Sequence, residues 1–232
     1  MALLCCAATE AELAAALPEP LPEGNVPEMA PFPLARKGLL GCVTGVGPVN
    51  AALAMGRCLA TEGIDVTAVL CVGVAGAFDL AAMPLRTLCL VTMEIWPEYG
   101  LHDGRTVTAG AFRHPLWARP EKEGGDVRDR IPLADLAALG LPEAKDAVPC
   151  TSVTVAGVSA SLDRARALRE STRAALENME GFAVAYACAR RGLPCAELRT
   201  VSNKVGPRGK DEKDFPGALK ALADVARLLQ RR

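Results

Sequence analysis

Three polar positions stand at the ends of apolar runs, where side chains with chemistry are best placed: Glu12, Glu180 and the pair Ser202-Asn203. A carboxylate there can accept hydrogen bonds from a ligand's hydroxyls or take a proton from water as a general base. An amide offers a donor and an acceptor to a planar polar ligand. Each position also has a purely local reading. Thr9 and Glu12 have capping-box spacing, Glu180 is favourably placed against a helix dipole, and Asn203 suits a strand-to-loop turn.

The elements that must carry these residues read as alternating strands and helices. Residues 2 to 8 form an apolar run with strand character, followed by Thr9 as a helix N-cap; Glu12, with Glu10 as a substitute, then lies just past the tip of the first strand. Residues 18 to 34 hold six prolines and a glycine and predict an irregular surface loop or edge excursion. Residues 38 to 44 return to strand, and Gly45-Val46-Gly47-Pro48-Val49-Asn50 turns into a helix reaching about Glu62. That glycine turn, with Asp65 downstream, partly matches a dinucleotide-binding fingerprint. Asn50 at the third glycine position and the stiffening Pro48 argue against it. Val66 to Val74 predicts a buried strand closing in the small-residue turn Gly73 to Phe78, and Leu85 to Met93 a further strand before the polar, aromatic loop Trp96 to Gly104. Residues 117 to 147 read as a peripheral excursion with a short helix near 133 to 139. A strand near 148 to 155 then leads to the turn Ala156 to Ser161, where serine caps the next helix. From Leu176 to Gly206 the order is helix opened by Glu180, turn at Gly192-Leu193-Pro194, strand, and polar tip; residues 215 to 231 predict a closing amphipathic helix. In open α/β sheets ligands bind beyond the carboxyl ends of strands, where all these polar tips fall.

The bulk properties narrow the class. The 232 residues suit a single α/β domain over 1 to 232, and a net charge of -1 gives no case for nucleic acid or an anionic membrane as partner. Nine cysteines without Cys-x-x-Cys spacing, beside two histidines, predict reduced core residues and no metal site. His102 and His114 have loop settings that favour hydrogen bonding as much as catalysis. The N-terminus lacks a basic start and cleavage site and its apolar part is too short to span a bilayer, so a cytoplasmic location is expected.

The run LENMEGFAVAYACARRGLPCAELRTVSNKVG resembles the purine nucleoside phosphorylase and nucleosidase superfamily, and within it the futalosine hydrolases, a likeness that Val205-Gly206-Pro207-Arg208 extends. The resemblance implies an α/β fold: a three-layer α/β/α sandwich with a mixed central sheet, nucleoside phosphorylase-like. It implies that Met179-Glu180 binds the ribose hydroxyls, that Ser202-Asn203 faces the purine, and that Glu12 activates the attacking water if burial brings its pKa toward neutrality. Val46 would then lie near the 5′ substrate tail. Ala75, Gly76 and Phe78 would line the base and water site, and the backbone at Gly157-Val158 would pack beside the purine. Asparagine at 203 offers NH₂ to a 6-oxo group and C=O to a protonated N7, which suits hypoxanthine better than adenine. The implied reaction is hydrolysis of futalosine to hypoxanthine and dehypoxanthine futalosine, a step of menaquinone synthesis, with no cofactor, by a homo-oligomer (dimer or higher). The alternatives are a 6-oxopurine nucleoside phosphorylase, whose phosphate needs several fixed donors for which only Arg86 and Arg36 are suitably placed, and a non-catalytic purine-nucleoside-binding module. Arg105, Arg113 and Arg208 are all open as partners for the tail carboxylate.

Overall fold

The computed structural model describes residues 2–231 apart from 25, 105, 208, 210 and 211. In chain order it runs β1 (Ala2–Ala7), α1 (Glu10–Ala16), β2 (Phe32–Pro33), β3 (Leu39–Val43), α2 (Pro48–Cys58), β4 (Val66–Ala77), β5 (Leu88–Ile95), β6 (Leu101–His102), β7 (Val107–Thr108), β8 (Arg130–Pro132), β9 (Val148–Thr154), α3 (Leu162–Thr172), β10 (Leu176–Asn178), α4 (Gly181–Arg190), β11 (Cys195–Lys204), α5 (Phe215–Ala221) and α6 (Ala223–Gln230). One sheet takes nine of the strands, in the order β10-β9-β5-β11-β4-β1-β3-β2 with β8 beside β5; β6 and β7 pair separately. Parallel pairs (β1 with β3 and β4, β4 with β11, β5 with β9) mix with antiparallel ones (β11 with β5, β2 with β3).

The alternation of side chains along β1 shows how the layers form. Leu3, Cys5 and Ala7 pack on one face with Leu13 of α1 and Leu222, Val225 and Leu229 of the C-terminal helices. Leu4 and Cys6 pack on the other with Ala51 and Met55 of α2 and Val184 and Cys188 of α4. A sheet buried on both faces needs strands apolar throughout, and β1 and β4 supply them. The nine cysteines are free and buried in these layers, Cys42 and Cys58 with sulfurs 3.3 Å apart.

The structure departs from the sequence-based expectations in five places. β4 does not end in a turn at Gly73; it continues to Ala77 because β10 pairs with it antiparallel at Gly76 and Ala77. This contact closes β4, β11, β5, β9 and β10 into a ring. The strand predicted from Leu85 is instead β5, beginning at Leu88, and α2 stops at Cys58, short of Glu62. The excursion at 117 to 147 contributes β8 to the sheet, with only a 3-10 turn at Ala137–Leu139 where a helix was expected. The closing helix is broken at Leu222 into α5 and α6, both packed on β1's odd-numbered face.

Candidate active site

The carboxyl ends of β1, β4, β10 and β11 meet around one cavity of about 330 Å³. Its lining includes nine of the sequence candidates: Glu12, Val46, Ala75, Gly76, Val158, Met179, Glu180, Ser202 and Asn203. Two others fall outside it. Phe78 follows the last residue of β4 and packs into an apolar cluster with Ile95, Val153 and Val205, since the strand runs on past the expected turn. Gly157 is exposed and its carbonyl accepts from Arg164 Nη2 at 3.2 Å, so at this turn Val158 alone reaches the cavity. Glu10 is exposed and does not line the cavity.

Glu12 fills both of its sequence readings at once. Thr9 Oγ1 donates to its Oε2 at 2.7 Å and Thr9 N–H at 3.1 Å, while Glu12 N–H donates to Thr9 Oγ1, which completes the capping box. The other oxygen, Oε1, accepts from Val74 N–H at 3.0 Å across the β1–β4 junction. The carboxylate is 7% exposed and cannot rotate without losing one set of bonds. It is therefore preoriented toward the cavity.

Glu180 is the N-cap residue of α4, with backbone φ -130 and ψ -30, and its side chain makes no cap bond. Its Oε1 accepts instead from Gly47 N–H at 2.9 Å, and its Oε2 lies 3.5 Å from Arg199 Nη1. Burial raises its pKa above the usual carboxylate value; Arg199 and the Gly47 N–H oppose that rise without cancelling it. Gly47 has φ +95, a left-handed conformation that glycine adopts without strain, so the turn after β3 can aim an N–H at this acid.

Arg199 is 1% exposed, and its Nε donates to Glu197 Oε1 at 2.7 Å. Burial works against its charge, but the carboxylates of Glu197 and Glu180 hold its pKa well above the usual guanidinium value. A Cβ added at Gly73 would lie 2.6 Å from Arg199 Nη1 and 2.8 Å from Glu12 Oε1. The guanidinium and Glu12 thus both close on the same face of Gly73, while Arg199 pairs with Glu180.

Asn203 sits at a bulge between Val201 and Asn203 at the end of β11. Its Oδ1 accepts from Ser202 Oγ at 2.9 Å and its Nδ2 donates to the Lys204 carbonyl at 2.7 Å, leaving one lone pair and one N–H for a ligand. A Cβ at Gly76 would come within 3.0 Å of Nδ2, so the amide's position depends on that glycine.

A family model described as "Phosphorylase superfamily" matches residues 5–231. The chain belongs to that superfamily. It is 35% identical over 207 residues to a futalosine hydrolase of Thermus thermophilus, covering 84% of this chain and 85% of that protein. A futalosine hydrolase of Streptomyces coelicolor is 48% identical over 84 residues, 36% of either chain. Among solved structures, a futalosine hydrolase mutant of Helicobacter pylori superposes with a TM-score of 0.71 at 20% identity, over 99% of this chain and 97% of that one. A 5′-methylthioadenosine/S-adenosylhomocysteine nucleosidase from the same organism, complexed with a substituted pyrrolidin-3-ol, gives 0.70 at 21% over 100% and 97%.

In this phosphorylase-superfamily chain, sequence reasoning missed Arg199, Asn178, Phe215 and Leu219. Arg199 had a signal: Glu197 and Arg199 stand two apart in an otherwise apolar strand, hence on one face. Phe215 and Leu219 line the cavity from α5, whose position no local pattern reveals. Of the arginines weighed for a phosphate or a tail carboxylate, Arg86 pairs with Asp214, Arg36 donates to the Leu229 carbonyl at 2.7 Å, and Arg113 is exposed; none lines the cavity. Arg105 and Arg208 lie outside the described residues. His102, in the short strand β6, and the loop residue His114 are both exposed; His102 Nδ1 accepts from Gly104 N–H.

Proposed function

We propose that this chain hydrolyses the N-glycosidic bond of futalosine, releasing hypoxanthine and dehypoxanthine futalosine. One observation carries the reading: Glu12, Glu180 and Asn203 share a single cavity whose described lining holds no lysine or arginine. A phosphate nucleophile would need several such donors, whereas water needs a base, which Glu12 supplies. The substrate follows the name of the Thermus relative and the amide at residue 203.

The water oxygen attacks C1′, its proton passes to Glu12, and the C1′–N9 bond breaks with its electron pair going to the purine. N7 takes up a proton from solvent as the bond breaks and Glu12 afterwards returns its own to solvent, so the base leaves neutral, with the Asn203 carbonyl accepting from the N7–H and the Asn203 NH₂ donating to the 6-oxo group. Glu180 accepts from the 2′ and 3′ hydroxyls, where its charge also opposes the positive charge growing on the ribosyl ring. Val46, Met179 and Val158 bound the nucleoside, and the side chains and water suffice without a cofactor. The reaction would serve menaquinone synthesis, in the cytoplasm; no helix among the described residues is long and apolar enough to cross a membrane.

Asn203→Asp tests the base assignment. The ratio of kcat/KM for futalosine over methylthioadenosine should fall about tenfold or more, because a buried carboxylate faces the 6-oxo group without a donor. An unchanged ratio would show that residue 203 does not read the base.

We infer a homo-oligomer. Val49 and Leu53 on α2 are 79% and 55% exposed, and Val49 borders an apolar cavity formed with Trp96, Leu116 and Phe182. Exposed apolar surface of this kind marks association. Light scattering after size exclusion should give at least a dimer for the wild type and a smaller species for Leu53→Glu; a wild-type monomer at micromolar concentration would contradict the inference.

A further inference from the structure

The turn that delivers Glu180 is controlled by a side chain buried beneath it. Asn178 ends β10, and its Oδ1 accepts from Glu180 N–H at 2.9 Å and Gly181 N–H at 2.8 Å. These are among the first N–H groups of α4, which have no partner within the helix. The next, Phe182 N–H, goes to Thr154 Oγ1 at 2.7 Å. Asn178 is fixed in turn: its Nδ2 donates to Glu94 Oε1 at 2.6 Å and to Ser152 Oγ at 2.7 Å, so a flipped amide would set donors against donors. Thr154 Oγ1 also lies 2.6 Å from Glu94 Oε2 and 3.2 Å from Asn178 Oδ1. The turn is boxed from below as well, since a Cβ at Gly181 would lie 2.6 Å from the carboxyl oxygens of both Glu94 and Glu197.

We propose, on the reading that Glu180 binds the ribose hydroxyls, that Asn178 is a positioning residue that sets the direction of the Glu180 carboxylate, with Glu94 as its anchor. Burial, and then the charge of Glu197, raise the Glu94 pKa well above the usual carboxylate value, which favours the neutral acid. In that form its Oε1 accepts from Asn178 Nδ2 and a hydroxyl at Oε2 donates to Thr154 Oγ1, whose own O–H donates to Asn178 Oδ1. Glutamine reproduces both bonds.

The test compares futalosine with 2′-deoxyfutalosine in the wild type, Asn178→Ala and Glu94→Gln, with melting curves as the fold control. Asn178→Ala should lose about a hundredfold in kcat on futalosine, the scale of an ångström of misplacement. Its preference for the ribose over the deoxyribose substrate should shrink about tenfold, because the bond lost is one to Glu180. Glu94→Gln should keep both values close to wild type. Should Asn178→Ala not fold, Asn178→Ser, whose single hydroxyl cannot span both N–H groups, is read in the same way. A slower variant with an unchanged ribose preference would reduce Asn178 to a structural cap and overturn the proposal. Loss of the preference in Glu94→Gln would mean that Glu94 does not hold Asn178 as a neutral acid. A wild type that releases no base from futalosine would count against the hydrolase reading itself and is seen separately from either result.

Discussion

Glu12→Gln is expected to slow hypoxanthine release from futalosine by about 10²–10⁴-fold, the range that a positioned general base contributes, while substrate affinity changes little. Glutamine at the third helical position still satisfies a capping box: its carbonyl can keep the Thr9 N–H bond, while its NH₂ replaces the oxygen that accepts from Val74 N–H, so one of the two bonds is lost. That loss, about 1 kcal/mol, should lower the melting temperature by no more than a few degrees, and the catalytic loss should appear in single-turnover rates and not in equilibrium binding. Glu12→Ala would mix the two effects, since a lost cap costs about 1 kcal/mol of its own. A wild-type rate in Glu12→Gln would remove Glu12 from the base role.

Arg199→Met should have the largest effect on stability. The guanidinium is the partner of Glu197 at 2.7 Å and stands 3.5 Å from Glu180, all three being buried. Removing one partner of a buried ion pair costs about 3–5 kcal/mol, because the remaining charge has no compensation. The effect depends on pH with a definite sign. Glu180 already has a raised pKa and Arg199 is what holds it down, so the variant's Glu180 rises further. A folded state with raised carboxyl pKa values binds more protons than the unfolded chain, and stability is lost as pH climbs through the folded pKa. The gap in unfolding free energy between wild type and Arg199→Met should therefore narrow as pH falls toward the ordinary glutamate value of 4.5. The acidic limb of kcat/KM should move to higher pH in the variant. Denaturant melts across this range check the first point and pH–rate profiles the second; a gap that is constant with pH would mean that Arg199 does not neutralise these acids.

The parts of the site legible in the sequence were those that break a local pattern. Glu12, Glu180 and Asn203 each end an apolar run, and the small residues at Ala75 and Gly76 mark a close approach that the structure realises as the seat of Asn203. What could not be read depended on contacts distant in sequence. The ring closes through two residue pairs between β10 and β4, and three-residue β10 carries too short a pattern to announce itself. That closure carried β4 past its expected end and sent Phe78 into the core. Arg199 was hidden for a different reason: a charge in the middle of an apolar strand looks like an error of pattern until its partners arrive from α4 and β11 itself. The break at Leu222 puts α5 over the cavity, and a helical periodicity continuous from 215 to 231 does not disclose it.

The central claim is that water, activated by Glu12, cleaves futalosine in this cavity. Chromatography of hypoxanthine released from futalosine by the wild-type chain, in phosphate-free buffer and again with phosphate added, tests it most directly. The account predicts release at the same rate in both, with the ribosyl product carrying a hydroxyl at C1′. Release only when phosphate is present, or none from futalosine while inosine or methylthioadenosine is cleaved, would contradict it.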